Sequence, residues 1–414
     1  MDLSRRGFLG GGLAAAANGL AHGAAPRYFD LHPFIRANPK AVFVRRTNVA
    51  GRLDFAGMRR EGLHLGRSIF EARIDGGIPL THRVVLKPNV LTTREQGQRV
   101  NWGTDADFYG GLLTALHETG LRRFHYVEAN YRSSRWSEKY DNIHDQFGVD
   151  VLEPQRRAAH YRRDEGMNWA KPDDGVVYAR VPHYPPIHEP DTWLFNIAKW
   201  RSHGMCLTQA CKNAQGLAVW PFQRFCPGWA MVTGAPDHMK PFIANDVVDR
   251  VTRYLENHKK MNYGRYASGA ELSPVHQEIW AHKTCDHLST LKFGLHMVEA
   301  IYAKNEDPAD PVREFLPNFV MFAKDPFRLD LVGLWLGGHE PGNVHFYRIA
   351  KERGLSDTFN PWDVDIYEWT DAGPVKRKLS DFPRTMLKTY YLQKEGEPLY
   401  HMVDEAFDYD RYKL

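Results

Sequence analysis

Between Arg83 and Ala129 the chain reads strand, helix, strand, and few folds accommodate that order. Arg83–Val90 (RVVLKPNV) is apolar, valine-rich and too short for a helix, which makes it a buried strand. Pro88 cannot donate to a sheet ladder, so the strand stops there, and Lys87 and Asn89 project from its end. Thr104-Asp105 supplies a cap for a helix over Phe108–Thr119. Its apolar residues at 108, 112, 113 and 116 recur at helical spacing before Gly120 ends it. Phe124–Ala129 (FHYVEA) is the second strand. Two strands joined through a helix lie parallel in one sheet with a right-handed crossover. The expected architecture is therefore α/β, a mostly parallel sheet flanked by helices. It is built as one domain or as two intimately joined lobes, since 414 residues is long for a single core.

The charge balance narrows the partners. A formal net charge of +4, on a chain that is 25% charged and 43% apolar, is too mild to mark a nucleic-acid or anionic-membrane surface. The four cysteines, at 206, 211, 226 and 285, contain no C-x-x-C pair, which argues against a ferredoxin-type cluster or a zinc ribbon. Twenty histidines leave metal ligation open. At the N-terminus, Ser4-Arg5-Arg6-Gly7-Phe8-Leu9 precedes a run of Gly and Ala and then Leu20–Ala25, small residues suited to peptidase cleavage. Residues 1–25 resemble a twin-arginine export signal. The Gly- and Ala-rich run is too short and too weakly apolar for a stable membrane span. The expectation is an exported, periplasmic or otherwise extracytoplasmic protein, recognised by the twin-arginine translocation machinery, with 26–414 as its folded domain. That route carries folded proteins, so a prosthetic group loaded beforehand is compatible with it. No residue identifies the cofactor.

Elsewhere the pattern gives a strand at Ala41–Arg45, a helix over Phe55–Ala72 and an irregular excursion at Tyr131–Asp173 with a short strand at Val149–Leu152. Gly175–Val181 reads as a strand, Pro182–Pro190 as a loop, and the aromatic, proline-rich Ala218–Pro241 as a lid or cover. Helices are expected over Asn245–His258 and within Pro274–Leu291. Lys292–Ile301 fits a strand or a helix, and Asn318–Phe322 a strand. Asp325 and Pro326 start a helix that runs to Leu336, and Gly354 stops one over Asn343–Arg353.

The candidate chemistry concentrates in Asp191–Val219. Trp193–Ile197 is a short buried strand, followed by Lys199, Arg201 and His203, then Cys206, Cys211, Lys212, Asn213 and Gly216. Cations, imidazole, thiols and an amide directly after a strand suit a ligand-facing loop, because ligands sit outside the carboxyl ends of strands in α/β sheets. Lys199 and His203, four apart, share a face on a helix but not on an extended loop. A desolvated Lys199 is a candidate base or nucleophile, and His203 a candidate proton carrier or metal ligand. Lys212, Asn213 and Gly216 form either an anion clamp or a turn. Cys206 and Cys211 are either a disulfide or buried packing residues, or Cys211 is a thiol made more acidic by Lys212 beside it. His282, Cys285 and His287, with His276 upstream, have metal-ligand types, but 282 and 287 face apart on a helix. Asp325 and Asp330 are either cap and packing carboxylates or acids facing a site.

Taken in order, RVVLKPNV, FHYVEA, FNIAKWRSHGMCLTQACKNAQG and FAKDPFRLDLVGLWLGGHEPGNVHFYRIAKERGL resemble the family called domain of unknown function 362. The resemblance covers about residues 40–370, with divergent insertions near 130–190 and 218–275. It implies ligand-binding roles for Lys87, Asn89, Lys212, Asn213, Asp325 and Asp330 and catalytic roles for Lys199 and His203. Ser202 stands where the family usually has threonine, and Glu299 where it has aspartate. The cysteine-rich ferredoxin segment of some members is missing, so electron transfer is not implied. A more distant similarity, to the catalytic half of nickel-pincer lactate racemase, is an analogy of fold alone. The functional expectation is an exported enzyme that binds an anionic small molecule or cofactor in a Lys/His-lined pocket at strand ends. The alternative is a non-catalytic ligand-binding or assembly protein of the cell envelope.

Overall fold

The computed structural model describes residues 25–90, 103–128, 137–152, 166–203, 206–219, 222, 240–261, 274–305, 314–389 and 405–412. All but the last residue of the export-signal segment 1–25, and most of the lid over Ala218–Pro241, lie outside them.

Strand β1 (Tyr28–Leu31) and the one-turn helix α1 (Pro33–Ala37) lead into β2 (Val42–Arg46). Helix α2 (Phe55–Ile69) starts at Asp54, whose carboxylate accepts the Gly57 amide, and passes directly into β3 (Phe70–Arg73) and then β4 (Ile78–Pro79). The helix expected to reach Ala72 is cut short because Phe70–Arg73 pairs with β1; β4 completes this small antiparallel sheet. Next come β5 (Arg83–Pro88), α3 (Ala106–Glu118), β6 (Phe124–Val127), α4 (Ser137–Phe147) and β7 (Asp150–Leu152), with β5–β6 and β6–β7 parallel. Asp105 caps α3 by accepting the amides of Asp107 and Phe108.

β8 (Asn168–Ala170) pairs with β9 (Val181–His183). The strand expected over Gly175–Val181 is displaced, because the Asp286 carboxylate accepts the amides of Val176, Val177 and Tyr178 and holds them out of any ladder. β10 (Thr192–His203) spans twelve residues, followed by β11 (Cys206–Thr208), the short helix α5 (Ala210–Ala214), α6 (Val247–Lys260) and α7 (Pro274–Ser289). β12 (Phe293–Lys304), β13 (Glu314–Phe315) and β14 (Phe319–Ala323) precede α8 (Pro326–Leu336), α9 (His345–Glu352) and the hairpin β15 (Ile366–Thr370)–β16 (Gly373–Arg377).

Among the described residues eleven strands form one sheet in the order β16-β15-β2-β14-β12-β10-β5-β6-β7, with β11 on β10 and β13 on β12. From β12 to β7 the run is parallel throughout, whereas β14 is antiparallel to both neighbours. The architecture is thus α/β, with a mostly parallel mixed sheet between helices. Alternation of side chains puts Leu86, Phe195, Ile197 and Met297 in the core under α2 and α3. Val85, Leu194, Ala198 and Val298 fall on the other face, in a core that α7, α8 and α9 complete. A strand buried on both faces carries a continuous apolar run, which is why TWLFNIA was legible. Among the described residues no helix is long and apolar enough to cross a membrane.

Candidate functional site

The parallel run brings the carboxyl ends of β6, β5, β10 and β12 side by side. Lys199, Arg201 and His203, expected on a loop, lie on β10 itself. Pairing with β5 and β12 on either side, and with β11 at its end, carries the strand through to His203. Opposite Lys199–Arg201 the register with β12 shifts, Lys199 facing Glu299 and Arg201 facing Lys304. Polar side chains consequently gather in separate groups.

On the face of α5, Lys87 is enclosed. Its Nζ donates to Glu128 Oε2 at 2.8 Å, Asn213 Oδ1 at 2.9 Å and the Pro88 carbonyl at 2.7 Å. Burial lowers the lysine pKa and Glu128 works against that. Asn213 returns its amide to the Lys87 carbonyl and to Asn196 Oδ1. Gly216 closes the group, since a Cβ there would lie 2.4 Å from Lys87 Cε. The Val90 amide also donates to Glu128. Asn89, one residue past β5, is buried, and among the described residues its Oδ1 has no hydrogen-bond partner.

On the opposite face Lys199 Nζ donates to Glu299 Oε2 at 2.6 Å, both side chains being buried. Glu299 further accepts the amides of Ile301, Tyr302 and Asp105. Burial, and then the negative charge of Glu299, push the Asp105 carboxyl up to about 6. Lys199 therefore faces the N-terminus of α3, while the His203 ring packs edge-on against Trp280 of α7. Four residues of strand would keep the two side chains on one face; the register shift separates them.

A cationic group surrounds His203. Arg201 and Lys283 are buried and Lys212 half-buried. Burial, followed by the charges of Lys212, Arg201 and Lys283, holds the His203 imidazole well below its ordinary pKa, so it is neutral near pH 7. The charges of Lys212, Arg201 and Lys283 that act on His203 are all positive, and its imidazole is unprotonated.

Asp330 is buried, and its two oxygens accept the amides of Ala210 at 2.8 Å and Cys211 at 3.0 Å. It holds the start of α5 and thereby Lys212 and Asn213. Burial pushes its carboxyl up to about 7. Asp325 caps α8 through the amides of Phe327 and Arg328, away from the strand ends that carry Lys87 and His203. Cys206, Cys211 and Cys285 are free, buried thiols, and burial pushes Cys285 up to about 12. Cys226 and the side chain of His276 lie outside the described residues. Among those residues no group of three or more His, Cys, Asp or Glu side chains is arranged to hold a metal ion. His282 lies beside Glu278, and His287 Nε2 lies 3.3 Å from the Phe222 carbonyl.

Of the residues singled out from sequence, Lys87 and Asn213 meet directly and Asn89 follows at the same strand end. Lys212 and His203 meet in the cationic group, Lys199 stands apart, and Asp325 belongs to another edge. Glu128, Asn196 and Lys283 were not anticipated. Glu128 is the penultimate residue of FHYVEA, next to the Lys87 strand, and Asn196 is a polar residue inside an apolar run; both were signals of buried polar contact. Lys283, mid-helix, gave none. The chain matches no family model, no curated protein and no solved structure.

Proposed function

We propose that the chain binds an anionic small molecule or cofactor group at the carboxyl ends of β10 and β5, as an exported enzyme in which His203 accepts a proton. The observation that carries this reading is the gathering of Arg201, Lys212 and Lys283 around a neutral His203. Lys87 and Asn213 supply a rigid floor, and Asn89 lies at the same strand end. The resemblance to domain of unknown function 362 points to the same strand ends. In this reading Lys199 acts through Glu299 on the shape of the site, and residues 1–25 address the protein to the twin-arginine machinery. The second reading, a ligand-holding protein of the envelope, draws on Lys199: a buried lysine held 2.6 Å from a carboxylate is not presented as a nucleophile.

Thermal melts with inorganic phosphate and with malonate test the binding. A ligand at a hundred times its Kd adds about 2.7 kcal/mol of stability, a rise in Tm that Lys212→Ala should largely remove. No rise with either anion sinks the anion-binding proposal. Solvent-deuterium incorporation into the bound malonate separates enzyme from binder. The enzyme reading expects incorporation that His203→Gln abolishes while affinity is retained, and absence of incorporation in the unmodified protein leaves the binding reading.

A further inference from the structure

At the opposite ends of the central strands, where β12 begins and β14 finishes, lies a cavity of about 320 Å³, at the small end of ligand pockets, which run roughly 300–1,000 Å³. Its apolar wall includes Leu288, Leu291, Phe293 and Phe327. Its polar side chains are His296, Lys324 and Asp325. His296, 1% exposed, is the informative one. Its Nδ1 lies 3.0 Å from Asn196 Nδ2, and an amide nitrogen only donates, so Nδ1 is the acceptor and the ring proton sits on Nε2. Burial drives this imidazole's pKa down to about 3, so the ring is neutral. Among the described residues Nε2–H has no acceptor, and the ring lines the cavity.

The Asn196 contact is the last link of a row. Lys87 Nζ donates to Asn213 Oδ1, Asn213 Nδ2 to Asn196 Oδ1 at 2.7 Å, and Asn196 Nδ2 to His296. Every donor points the same way, from the buried ammonium toward the cavity, and donors aligned in series polarise one another. The row delivers a strengthened N–H to a chamber of mixed apolar and polar lining. Lys324, exposed at the rim, has no carboxylate partner among the described residues. The Asp325 charge is already met by two helix amides and by Arg328 Nε at 3.7 Å.

We infer that this cavity is a second ligand site, which takes a monocarboxylate with a compact apolar body, one carboxylate oxygen accepting from His296 Nε2–H and the charge facing Lys324. Leu288, Leu291, Phe293 and Phe327 favour a ligand with an apolar body over a strongly hydrated inorganic anion, and the site's place at the amino-terminal end of β12 makes it independent of the function proposed at the cationic strand ends.

Isothermal calorimetry of the full chain with benzoate tests it. Benzoate should bind, and benzyl alcohol, of similar size but uncharged, should bind about tenfold or more weakly, as expected for loss of a charge-assisted hydrogen bond. His296→Phe should abolish binding. Lys324→Ala, an exposed change that leaves the core untouched, should weaken it severalfold, and Leu355→Trp, which fills the chamber from its rim, should remove it. No heat at millimolar benzoate overturns the assignment. So does benzoate binding unchanged in both Lys324→Ala and Leu355→Trp, or binding competed away by inorganic phosphate, which would place it at the strand ends.

Discussion

Lys199 illustrates what a reactive-looking residue becomes when folding supplies its counter-charge. Two buried ions are expensive to desolvate, and their mutual attraction with extra hydrogen bonds compensates only when the geometry is good. Here Glu299 accepts three backbone amides besides the ammonium. Lys199→Met would leave the Glu299 carboxylate uncompensated beside Asp105 and should destabilise the protein by roughly 3–5 kcal/mol. Adding Glu299→Gln should recover much of that loss. Urea denaturation of both single variants and the double variant measures it; a Lys199→Met protein as stable as the parent would show that the pair is not what fixes the strand end. The lysine was visible in the sequence but its role was not, because Glu299 lies one hundred residues away and only cross-strand register joins them. Lys87 behaved differently: Pro88 fixed its place at a strand end, a local effect that sequence reports directly.

At the level of elements, those bounded by local chemistry were legible. α3 and α8 begin at Asp105 and Asp325, each an aspartate whose side chain satisfies free helix amides. Elements bounded by tertiary contact were not. β10 seemed to end where charged residues interrupt its apolar run, yet continues because its neighbours pair with it, and residues 176–178 are kept from a ladder by Asp286 on α7. A further tertiary contact ties three helices together. His258 of α6 sits between Glu278 of α7, at 2.5 Å, and Glu352 of α9, at 2.9 Å. Burial alone would depress its pKa, but the bonds to the two carboxylates outweigh that and raise it to about 9 from an ordinary 6.5. The folded state therefore binds this proton more tightly than the unfolded chain. The stabilisation is fully present below about pH 6.5 and is lost as pH rises through about 9. The unfolding free energy should fall across that interval, and His258→Gln should flatten the fall. An unaltered pH profile in the variant would mean that another group titrates there.

For the whole molecule, the strand-helix-strand order between Arg83 and Ala129 announced the parallel pairing of β5 with β6, since that crossover is short and local, whereas α4 and the parallel β7 fall in what reads as an irregular excursion. The other half of the sheet was hidden. β14 inserts antiparallel between β12 and β2, and the hairpin β15–β16 extends the sheet from the far end of the chain. Strand order across such distances is decided by which faces can be buried together, a property of no single segment. The two cores and the strand between them are what the scattered hydrophobic runs jointly specify.

β10 is held by β5 from Thr192 to Ile197 and by β12 from Leu194 to Lys199, and it is buried on both faces. Amides in such a position meet solvent deuterons only when the whole domain opens. In native-state exchange at graded denaturant, the amides of Phe195–Lys199 should follow the global unfolding free energy, whereas those of the partly exposed β8 should exchange sooner. Exchange of the β10 amides at a distinctly lower free energy would show that the strand opens on its own. Because Asn196 and His203 share this strand, any opening of β10 would disturb the cavity at His296 and the cationic group at His203 in a single event.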